Sequence, residues 1–351
     1  EFRRVLFRSW RGKLRLLAEP FVPRGAEADE SLEHFAVRRL GREAFERLVQ
    51  PLVSGIWTAD PALLSMAAAC PDFLAMERRS GSLFAGEIAR LRAAPRGQEA
   101  VGARYGQFVS LASGMETLPR RLADFVREAG GRFVQARATS IRRGEDGRWQ
   151  VELAGQPPLA GDALILAVPA PAAASLLAAV DPALSASLAG IEYAGSAVVS
   201  LGYARGDIAH PLDAAGLVVP RREGRGILAV SFLSSKFPGR APEGHALIRV
   251  FVGGALDPEA ASLEDDALLA RVQRETADVL GIRAAPRLVQ IDRWHAAMPQ
   301  YHVGHGGRVA DIRARAAMLP RLALAGAAYE GVGIPQVIAS GQQAARDITR
   351  A

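Results

Sequence analysis

The apolar positions along the chain fall into short uninterrupted runs, alternating stretches and stretches with helical spacing. Residues 163–168 and 322–325 are uninterrupted apolar runs, each long enough for one buried strand. A strand that is apolar on both faces is typical of the interior of a parallel sheet, so we expect 163–168 to be central in one. After 322–325 come glycines, then Pro335 and apolar residues at helical spacing. This end of the chain is therefore predicted to be a strand, a loop and a helix.

The glycine loop, residues 326–333, is the first candidate for chemistry. Gly326, Gly331 and Gly333 let the backbone pass close to another group, because they lack a side chain. The helix that follows presents free backbone N–H groups and a partial positive charge at its start, which suits an anionic or electron-rich ligand. An ordinary connection between a strand and a helix explains the same glycines, since such spacings also occur by chance.

Alternating apolar and polar residues predict two antiparallel sheets. The first is a hairpin of residues 133–141 and 149–153, with its turn at 144–147. The second has four longer strands and one covering helix, at residues 193–203, 216–220, 226–231, 245–251 and 271–280. We expect this second sheet to roof a pocket. Three aromatic residues either line that pocket or pack in the core: Phe232, Phe237 and Phe251.

Two amphipathic helices are predicted near the start of the chain. The first is capped by Asp29 or Ser31 and buries Leu32, Phe35 and Leu40. The second follows the interruption at a glycine and turns four apolar residues inward: Phe45, Leu48, Val49 and Leu52. Four arginines are expected on the outer faces, in water or against anionic lipid: Arg38, Arg39, Arg42 and Arg47.

Composition narrows the classes of partner. The 351-residue chain is long enough for about two domains and carries a net charge of +6, with 49% hydrophobic residues. Its arginines are scattered, which disfavours nucleic acid, whereas a basic surface suits anionic lipid or an acidic small molecule. The one cysteine, Cys70, rules out an intrachain disulfide and fits a reducing compartment. His302 and His305 lack an accompanying carboxylate or cysteine cluster, so we expect hydrogen-bonding roles and no metal.

The strand, glycine loop and helix near the C-terminus resemble the flavin-binding motif of the protoporphyrinogen and coproporphyrinogen III oxidase family, within the flavin amine oxidase superfamily. The resemblance is carried by Ala-Gly-Ala-Ala-Tyr-Glu-Gly-Val-Gly-Ile-Pro at residues 325–335, where Ala327 replaces the family's common asparagine. In that family the final helix directs its N-terminus at the flavin ring. The resemblance therefore implies FAD as cofactor, with contacts from Gly326, Val332, Gly333 and Ile334.

Three further stretches resemble the same family, in the same order along the chain. In residues 51–66, Gly55 would let the backbone approach a large flat substrate, and a helix end capped by Gly55 is the alternative. Residues 114–119 match the point where the family's chain re-enters its flavin domain. In residues 293–305, Trp294 would press on the flavin side of the site.

The resemblance implies a mixed α/β fold with three parts: a Rossmann-like FAD/NAD(P)-binding domain, an antiparallel-sheet substrate domain and a helical membrane-associated arm. Ala138 is the candidate to contact the adenine half of FAD. The sequence contains no Gly-x-Gly-x-x-Gly, so we expect the Rossmann-like domain to lack its N-terminal βαβ unit, as in an N-terminally truncated chain. The expected divisions are a non-native leader (1–9), the arm (10–107), the FAD-binding domain (108–170 and 294–351) and the substrate domain (171–293).

The reaction implied by the resemblance is oxygen-dependent oxidation of protoporphyrinogen IX or coproporphyrinogen III to the porphyrin in haem biosynthesis. FAD accepts hydride and hydrogen peroxide is the by-product, so we assign no catalytic side chain, because the cofactor carries the chemistry. Another flavin amine oxidase or desaturase and an inactive porphyrin-binding chain are the two alternatives. The expected partners are the porphyrinogen, oxygen and, peripherally, the cytoplasmic membrane. The expected location is the cytoplasm, and a homodimer is left open.

Overall fold

The computed structural model describes residues 9–93 and 109–350. These residues form a mixed α/β fold, as predicted, with an N-terminal set of helices, a three-stranded antiparallel sheet, a parallel strand pair and a five-stranded sheet. Three predicted features lie outside the described residues: nearly all of the leader at 1–9, the end of the arm at 107 and the start of the FAD-binding domain at 108.

The helical arm, residues 10–93, contains an apolar core formed by residues from Leu32 onward together with Tyr301. Its helices are α1 (Trp10–Leu17), α2 (Leu32–Leu40), α3 (three consecutive parts, Arg42–Ala44, Phe45–Val49 and Gln50–Trp57), α4 (Met66–Ala69), α5 (Pro71–Ser80) and α6 (Leu83–Ala93). Ser31 caps α2 through its side chain, as predicted, while the alternative cap Asp29 binds the chain at the start of α4. The arm core contains Phe35, Trp57 and Leu64, and Cys70 packs at its edge.

Helix α3 contains a π-helical turn at Phe45–Val49, which changes the face that the helix buries. The wider turn spaces the inward residues four apart, at Phe45, Val49, Val53 and Trp57. Leu52 is therefore 40% exposed, so the prediction that it points inward is wrong. On the outer side, Arg42 is exposed as predicted, but Arg47 is mostly buried beside Glu43.

Two more of the arginines expected on outer faces are removed from solvent instead. Arg39 is fully buried, with its Nε 3.2 Å from carboxylate oxygens of Glu19 and Glu77. Arg38 pairs with Glu30 and Glu77. The opposite charges explain the correction, because a guanidinium is stable in the interior only when carboxylates and hydrogen-bond acceptors surround it. We call these five residues the buried ionic cluster.

After the arm, α7 (Thr117–Glu128) leads to a three-stranded antiparallel sheet of β1 (Ala138–Arg143), β2 (Trp149–Leu153) and β3 (Gln156–Gly161). The predicted turn at 144–147 and the second strand are confirmed, but the first strand begins at Ala138 rather than at 133. The exposed third strand was missed because it has no apolar alternation. Residues 109–113, which precede α7, are turn and irregular structure.

The elements that follow are β4 (Leu164–Leu166), α8 (Ala170–Leu177), α9 (Pro182–Ala189), β5 (Tyr193–Ala204), β6 (Gly216–Val218), β7 (Ala229–Phe232), α10 (Leu233–Lys236), β8 (His245–Gly253), α11 (Asp265–Leu280), β9 (Leu288–Pro299), α12 (His305–Ala316), β10 (Leu322–Leu324) and α13 (Ile334–Arg350). Strand β4 pairs with β10 in parallel, and among the described residues β10 is its one strand neighbour. The prediction that β4 is central in a parallel sheet is therefore wrong for the described chain. Its continuous apolar run is explained by α8 and α13, which cover its two faces.

The five-stranded sheet is antiparallel, in the order β6-β7-β8-β5-β9 within the described chain. Four of its strands and the covering helix α11 were predicted, and α11 packs on one face through Leu268 and Val272. Strand β9 was missed because its sequence mixes apolar, charged and aromatic residues without regular alternation. The expected division between residues 293 and 294 falls inside this strand.

Candidate functional site

Three parts of the chain meet at the buried side chain of Tyr301. Its ring centroid lies 5.0 Å from that of Trp57 at the end of α3, and 3.9 Å from that of His305, on which it is stacked. The Tyr301 hydroxyl accepts a hydrogen bond from the Gly331 amide at 2.8 Å and donates one to the Ala327 carbonyl at 2.7 Å. Tyr301 therefore fixes the glycine loop to the helical arm.

Burial keeps the polar groups around Tyr301 uncharged. It raises the pKa of Tyr301 to about 12, so the phenol keeps the proton that it donates to the loop. Burial also lowers the pKa of His305, whose Nε2 lies 3.0 Å from the Tyr329 carbonyl. Because a carbonyl only accepts, Nε2 carries the proton, and His305 has the hydrogen-bonding role that was predicted. In residues 9–93 and 109–350 no three His, Cys, Asp or Glu side chains are grouped to hold a metal.

Two glycines of the loop are favoured by its backbone conformation, and two lie close to the first turn of α13. Gly326 and Gly331 have φ angles of +124° and +136°, which residues with side chains rarely adopt. A Cβ at Gly331 would lie 2.7 Å from Cγ of Gln336, and one at Gly333 would lie 2.4 Å from Oε1 of the same residue. Beside Gly326, by contrast, no described heavy atom lies within 4 Å of the position of a Cβ. As far as the described residues show, the loop has open space beside its first glycine.

The start of α13 combines backbone donors with an exposed apolar side chain. Val337 makes an early backbone bond of this helix, to Gly333 O at 3.0 Å, and the first N–H groups of a helix have no partner within it. Val332 packs against the arm core, whereas Ile334 is 51% exposed. Pro335 lies in the first turn, as predicted. An anionic or electron-rich group placed here would meet the positive end of the helix dipole.

One face of the five-stranded sheet packs on α11, and we call the opposite face the open face. Residues paired directly across neighbouring strands share a face, so the strand register defines its members. An apolar row crosses it through Val198, Phe251, Ala229 and Val218. Trp294 lies on the same face, paired with Ser196 and 58% exposed. Phe251 is therefore on the open face, whereas Phe232 is buried in the core beneath α11.

Helix α3 lies against the edge of the open face at β6. A Cβ at Gly55 would lie 3.5 Å from Cγ1 of Val218, which is an ordinary contact. The helix continues past Gly55 and ends at Thr58 in a left-handed conformation, so the alternative that Gly55 caps a helix is wrong. The Thr58 carbonyl accepts a hydrogen bond from the Ala255 amide at 2.7 Å, which ties the helix end to the end of β8. Helix α3 and the open face thus form two sides of a trough.

A sequence model of the flavin containing amine oxidoreductase family matches residues 1–349. The chain belongs to this family. Coproporphyrinogen III oxidase from Bacillus subtilis (strain 168) is 32% identical over 346 residues, a match that covers 96% of this chain and 71% of the relative. Protoporphyrinogen oxidase from Homo sapiens is 30% identical over 366 residues, with 98% of this chain and 72% of the relative covered.

A solved structure agrees with these relatives. The crystal structure of a protein proposed to be a protoporphyrinogen oxidase, from Exiguobacterium sp. 255-15, matches with a TM-score of 0.82 and 29% identity. The match covers 100% of this chain and 74% of that protein. This flavin containing amine oxidoreductase is therefore similar in both sequence and fold to porphyrinogen oxidases, and the resemblance inferred from its glycine loop is confirmed.

The residues of this flavin containing amine oxidoreductase fit a flavin at the start of α13. The predicted contacts there lie together between β10 and α13, at Gly326, Val332, Gly333 and Ile334. Within residues 9–93 and 109–350, open space beside Gly326 and the N–H groups of the first turn of α13, which have no partner within the helix, provide room and charge for such a ring. Trp294 and Gly55 border the trough, while Ala138 lies apart on β1, against the core that includes α8. The ligand contacts of these residues stay predictions.

Sequence reasoning missed the role of Tyr301. Its partners Ala327 and Gly331 lie 26 and 30 residues further along the chain, and its ring partner Trp57 lies in the arm. Such contacts are created by the fold and leave no periodic pattern. The available signal was an aromatic residue within a stretch, 293–305, that already resembled the family.

Proposed function

We propose that this flavin containing amine oxidoreductase oxidises a porphyrinogen, protoporphyrinogen IX or coproporphyrinogen III, to the porphyrin in haem biosynthesis. FAD would accept hydride and pass the electrons to oxygen, with hydrogen peroxide as by-product. The names and identities of the relatives, 32% and 30%, support this reaction. The observation that carries the proposal is the trough, because it provides a broad apolar face beside an exposed tryptophan.

The trough suits a large, flat and mostly apolar ring system. Its floor is the apolar row from Val198 to Val218. A planar ligand can lie on these side chains without any change in the sheet. Phe251 and Trp294 add aromatic surface, which packs well against conjugated rings. Helix α3 forms the wall at Gly55, where the missing side chain lets the helix lie close to Val218 on β6. These residues bind and orient the substrate and exclude water from it.

The cofactor would be held by the loop and the start of α13. Val332, Gly333 and Ile334 would contact the ring of FAD, where the positive end of the helix dipole stabilises negative charge. Gly326, Trp294 and Ala138 are the other proposed contacts, the last at the adenine half. We keep the proposed division into a helical arm, an FAD-binding domain in two pieces and a substrate domain between them.

A fluorescence assay tests the proposed reaction. We expect the protein supplied with FAD and coproporphyrinogen III or protoporphyrinogen IX in air to form fluorescent porphyrin faster than buffer with FAD, and to release hydrogen peroxide. Removing oxygen should stop peroxide release. Peroxide formed from an amine such as putrescine, without porphyrin fluorescence, would favour another amine oxidase. Porphyrin binding without oxidation of either porphyrinogen would favour the porphyrin-binding alternative.

The exposed side of α1 supports a peripheral lipid contact. Trp10, Leu14 and Leu17 are spaced for one side of the helix and are 63% to 77% exposed, and Phe21, in the turn that follows, is 87% exposed. The helix carries Lys13 and two arginines but no acidic residue. Every helix in the described residues is too short or too polar to cross a bilayer. We propose that α1 rests on an anionic membrane surface, since basic amphipathic helices bind there.

Vesicle flotation tests this contact. We expect the protein to float with vesicles containing phosphatidylglycerol and the variant Leu17→Glu to float several-fold less. Met318→Glu is the matched control, because Met318 is 68% exposed against 70% for Leu17 but lies after α12. Equal flotation of both variants would contradict the assignment to α1.

A further inference from the structure

Arg249 is an exposed cation on the open face. It is exposed on β8, two residues before Phe251, and its cross-strand neighbours are Ser200 on β5 and Ser231 on β7. Within the described part of the chain its guanidinium has no hydrogen bond or ion pair. Arg293 on β9 shows the contrast, because it turns to the other face and binds Asp265. Arg249 is thus available to a ligand lying in the trough.

Arg249 lies beside the apolar floor of the trough, on the same face of the sheet. Residues two apart on a strand share a face and lie about 7 Å apart, so Arg249 lies one row beyond Phe251. A flat ring over Val198 and Phe251 would therefore place its peripheral substituents at Arg249. Ser200, only 7% exposed, and Ser231 put hydroxyl groups in the same row. The row beside the apolar floor is consequently polar and positively charged.

An acidic substituent is the chemistry that this row recognises. The planar guanidinium of arginine matches a carboxylate with two parallel hydrogen bonds. A carboxylate on the same face, Asp292, lies two strands away from Arg249, and the Gln290 amide already contacts it at 3.0 Å. An ionised side-chain carboxylate on the ring would gain a charge-assisted bond at Arg249 that an uncharged substituent would not.

We propose that Arg249 binds a propionate carboxylate of the porphyrinogen and positions the ring over the apolar row, an assignment that rests on the proposed function. Arg249 is then a positioning residue that selects substrates with an acidic side chain at this edge. It acts on binding and orientation, and the oxidation itself needs nothing from its guanidinium.

The test compares an acid with its ester on the same ring. Coproporphyrin III and its tetramethyl ester are titrated with the protein and their fluorescence anisotropy is followed, so that only the carboxylates differ. We expect Arg249→Gln to weaken binding of coproporphyrin III about tenfold, which is the usual loss for a charge-assisted hydrogen bond, and to leave the ester unchanged. Arg249→Lys should restore part of the affinity for the acid.

Arg274→Gln is the matched control, because Arg274 is an exposed arginine on α11, on the other side of the sheet. It should bind both porphyrins as the unmodified protein does. Equal affinities of Arg249→Gln and the unmodified protein for the acid would overturn the assignment, as would an equal loss for the acid and the ester. In both cases the proposed function stands. If the unmodified protein binds neither porphyrin, the proposed function is overturned and this assignment with it.

Discussion

The buried ionic cluster of the arm and the open face of the sheet both contain arginine, but they use it in opposite ways. Arg39 is fully buried, 3.2 Å from each of two carboxylates. Arg249 is exposed, and in the described chain it has no partner. A charge is tolerated inside a protein only when it is paired, whereas an unpaired charge beside a cleft keeps its binding capacity. Pairing, rather than residue type, separates the structural arginine from the proposed binding one.

The cluster also explains how the arm is assembled. Glu19 follows α1 in a short 3-10 turn, accepts hydrogen bonds from Ser82 and the Leu83 amide, and pairs with Arg39. Glu77 brings α5 to the same guanidinium. Four segments of the arm are therefore joined by ion pairs and hydrogen bonds at this point. The open face needs no such support, because its strands are already paired with one another.

The largest expected effect comes from removing the central cation. Arg39→Met keeps the length of the side chain but leaves Glu19 and Glu77 buried without it, so we expect the free energy of unfolding to fall by about 3–5 kcal/mol. Urea denaturation followed by circular dichroism measures this loss. Arg42→Met is the control, since Arg42 forms an exposed pair and should change the free energy of unfolding by less than about 1 kcal/mol. Similar losses in both variants would contradict the view that Arg39 is the structural arginine.

A smaller effect is expected where the arm meets the glycine loop. Tyr301→Phe removes the hydroxyl that binds Gly331 and Ala327, which should cost about 1–3 kcal/mol of stability and weaken FAD binding several-fold. Tyr203→Phe is the control, because Tyr203 is equally buried but lies in the core of the five-stranded sheet. Flavin fluorescence quenching measures the affinity. An unchanged affinity for FAD in Tyr301→Phe would show that the loop does not depend on this bond.

The cluster should also make stability depend on acidity. Burial alone would raise the pKa of Glu77, but its hydrogen bond to Arg38 and the charges of Arg38 and Arg39 hold that pKa below its usual 4.5. Since the folded-state pKa is the lower one, the stabilisation is complete above about pH 4.5 and is lost as the pH falls through the folded-state pKa. Between about pH 6 and pH 3, the unmodified protein should lose more unfolding free energy than Glu77→Gln does. Parallel curves for the two proteins would exclude Glu77 as the titrating group.

The smallest expected effect on stability comes from the open face. Arg249→Leu removes a side chain that the described residues do not engage, so the free energy of unfolding should change by less than about 0.5 kcal/mol. The same denaturation measurement as for Arg39→Met gives a direct comparison. A loss approaching that of Arg39→Met would mean that Arg249 supports the fold, and the contrast between the two regions would disappear.

The sequence predicted the elements whose patterns are local. Strands β2, β5, β8 and β10 and helix α13 were found because alternation, apolar runs and glycine or proline boundaries mark them directly. The candidate cofactor contacts from Gly326 to Ile334 likewise form one continuous stretch. These features need no knowledge of distant residues.

The features that were missed depend on distant partners or on small changes in geometry. The burial of Arg39 requires Glu19 and Glu77, which are 20 and 38 residues away, and periodicity alone places a charged residue outside. The exposure of Leu52 follows from a π-helical turn. This turn contains an extra residue, which the spacing rule for an α-helix does not take into account. Arg249 was not singled out because an arginine at a polar position of an alternating strand is ordinary. Only the pairing of β5 with β8 shows that it lies on the same face as Val198 and Phe251.

The position of Tyr301 has a thermodynamic consequence. The Tyr301 side chain contacts both Trp57 in the arm and the backbone of the glycine loop. The free energy of opening the arm therefore depends on whether the loop is ordered. Linkage is reciprocal: a ligand that orders the loop must raise the cost of opening the arm by the same amount that a closed arm raises its affinity. Amide hydrogen exchange in α3 should therefore slow when the loop is occupied, although α3 contributes no residue to the cofactor contacts proposed above.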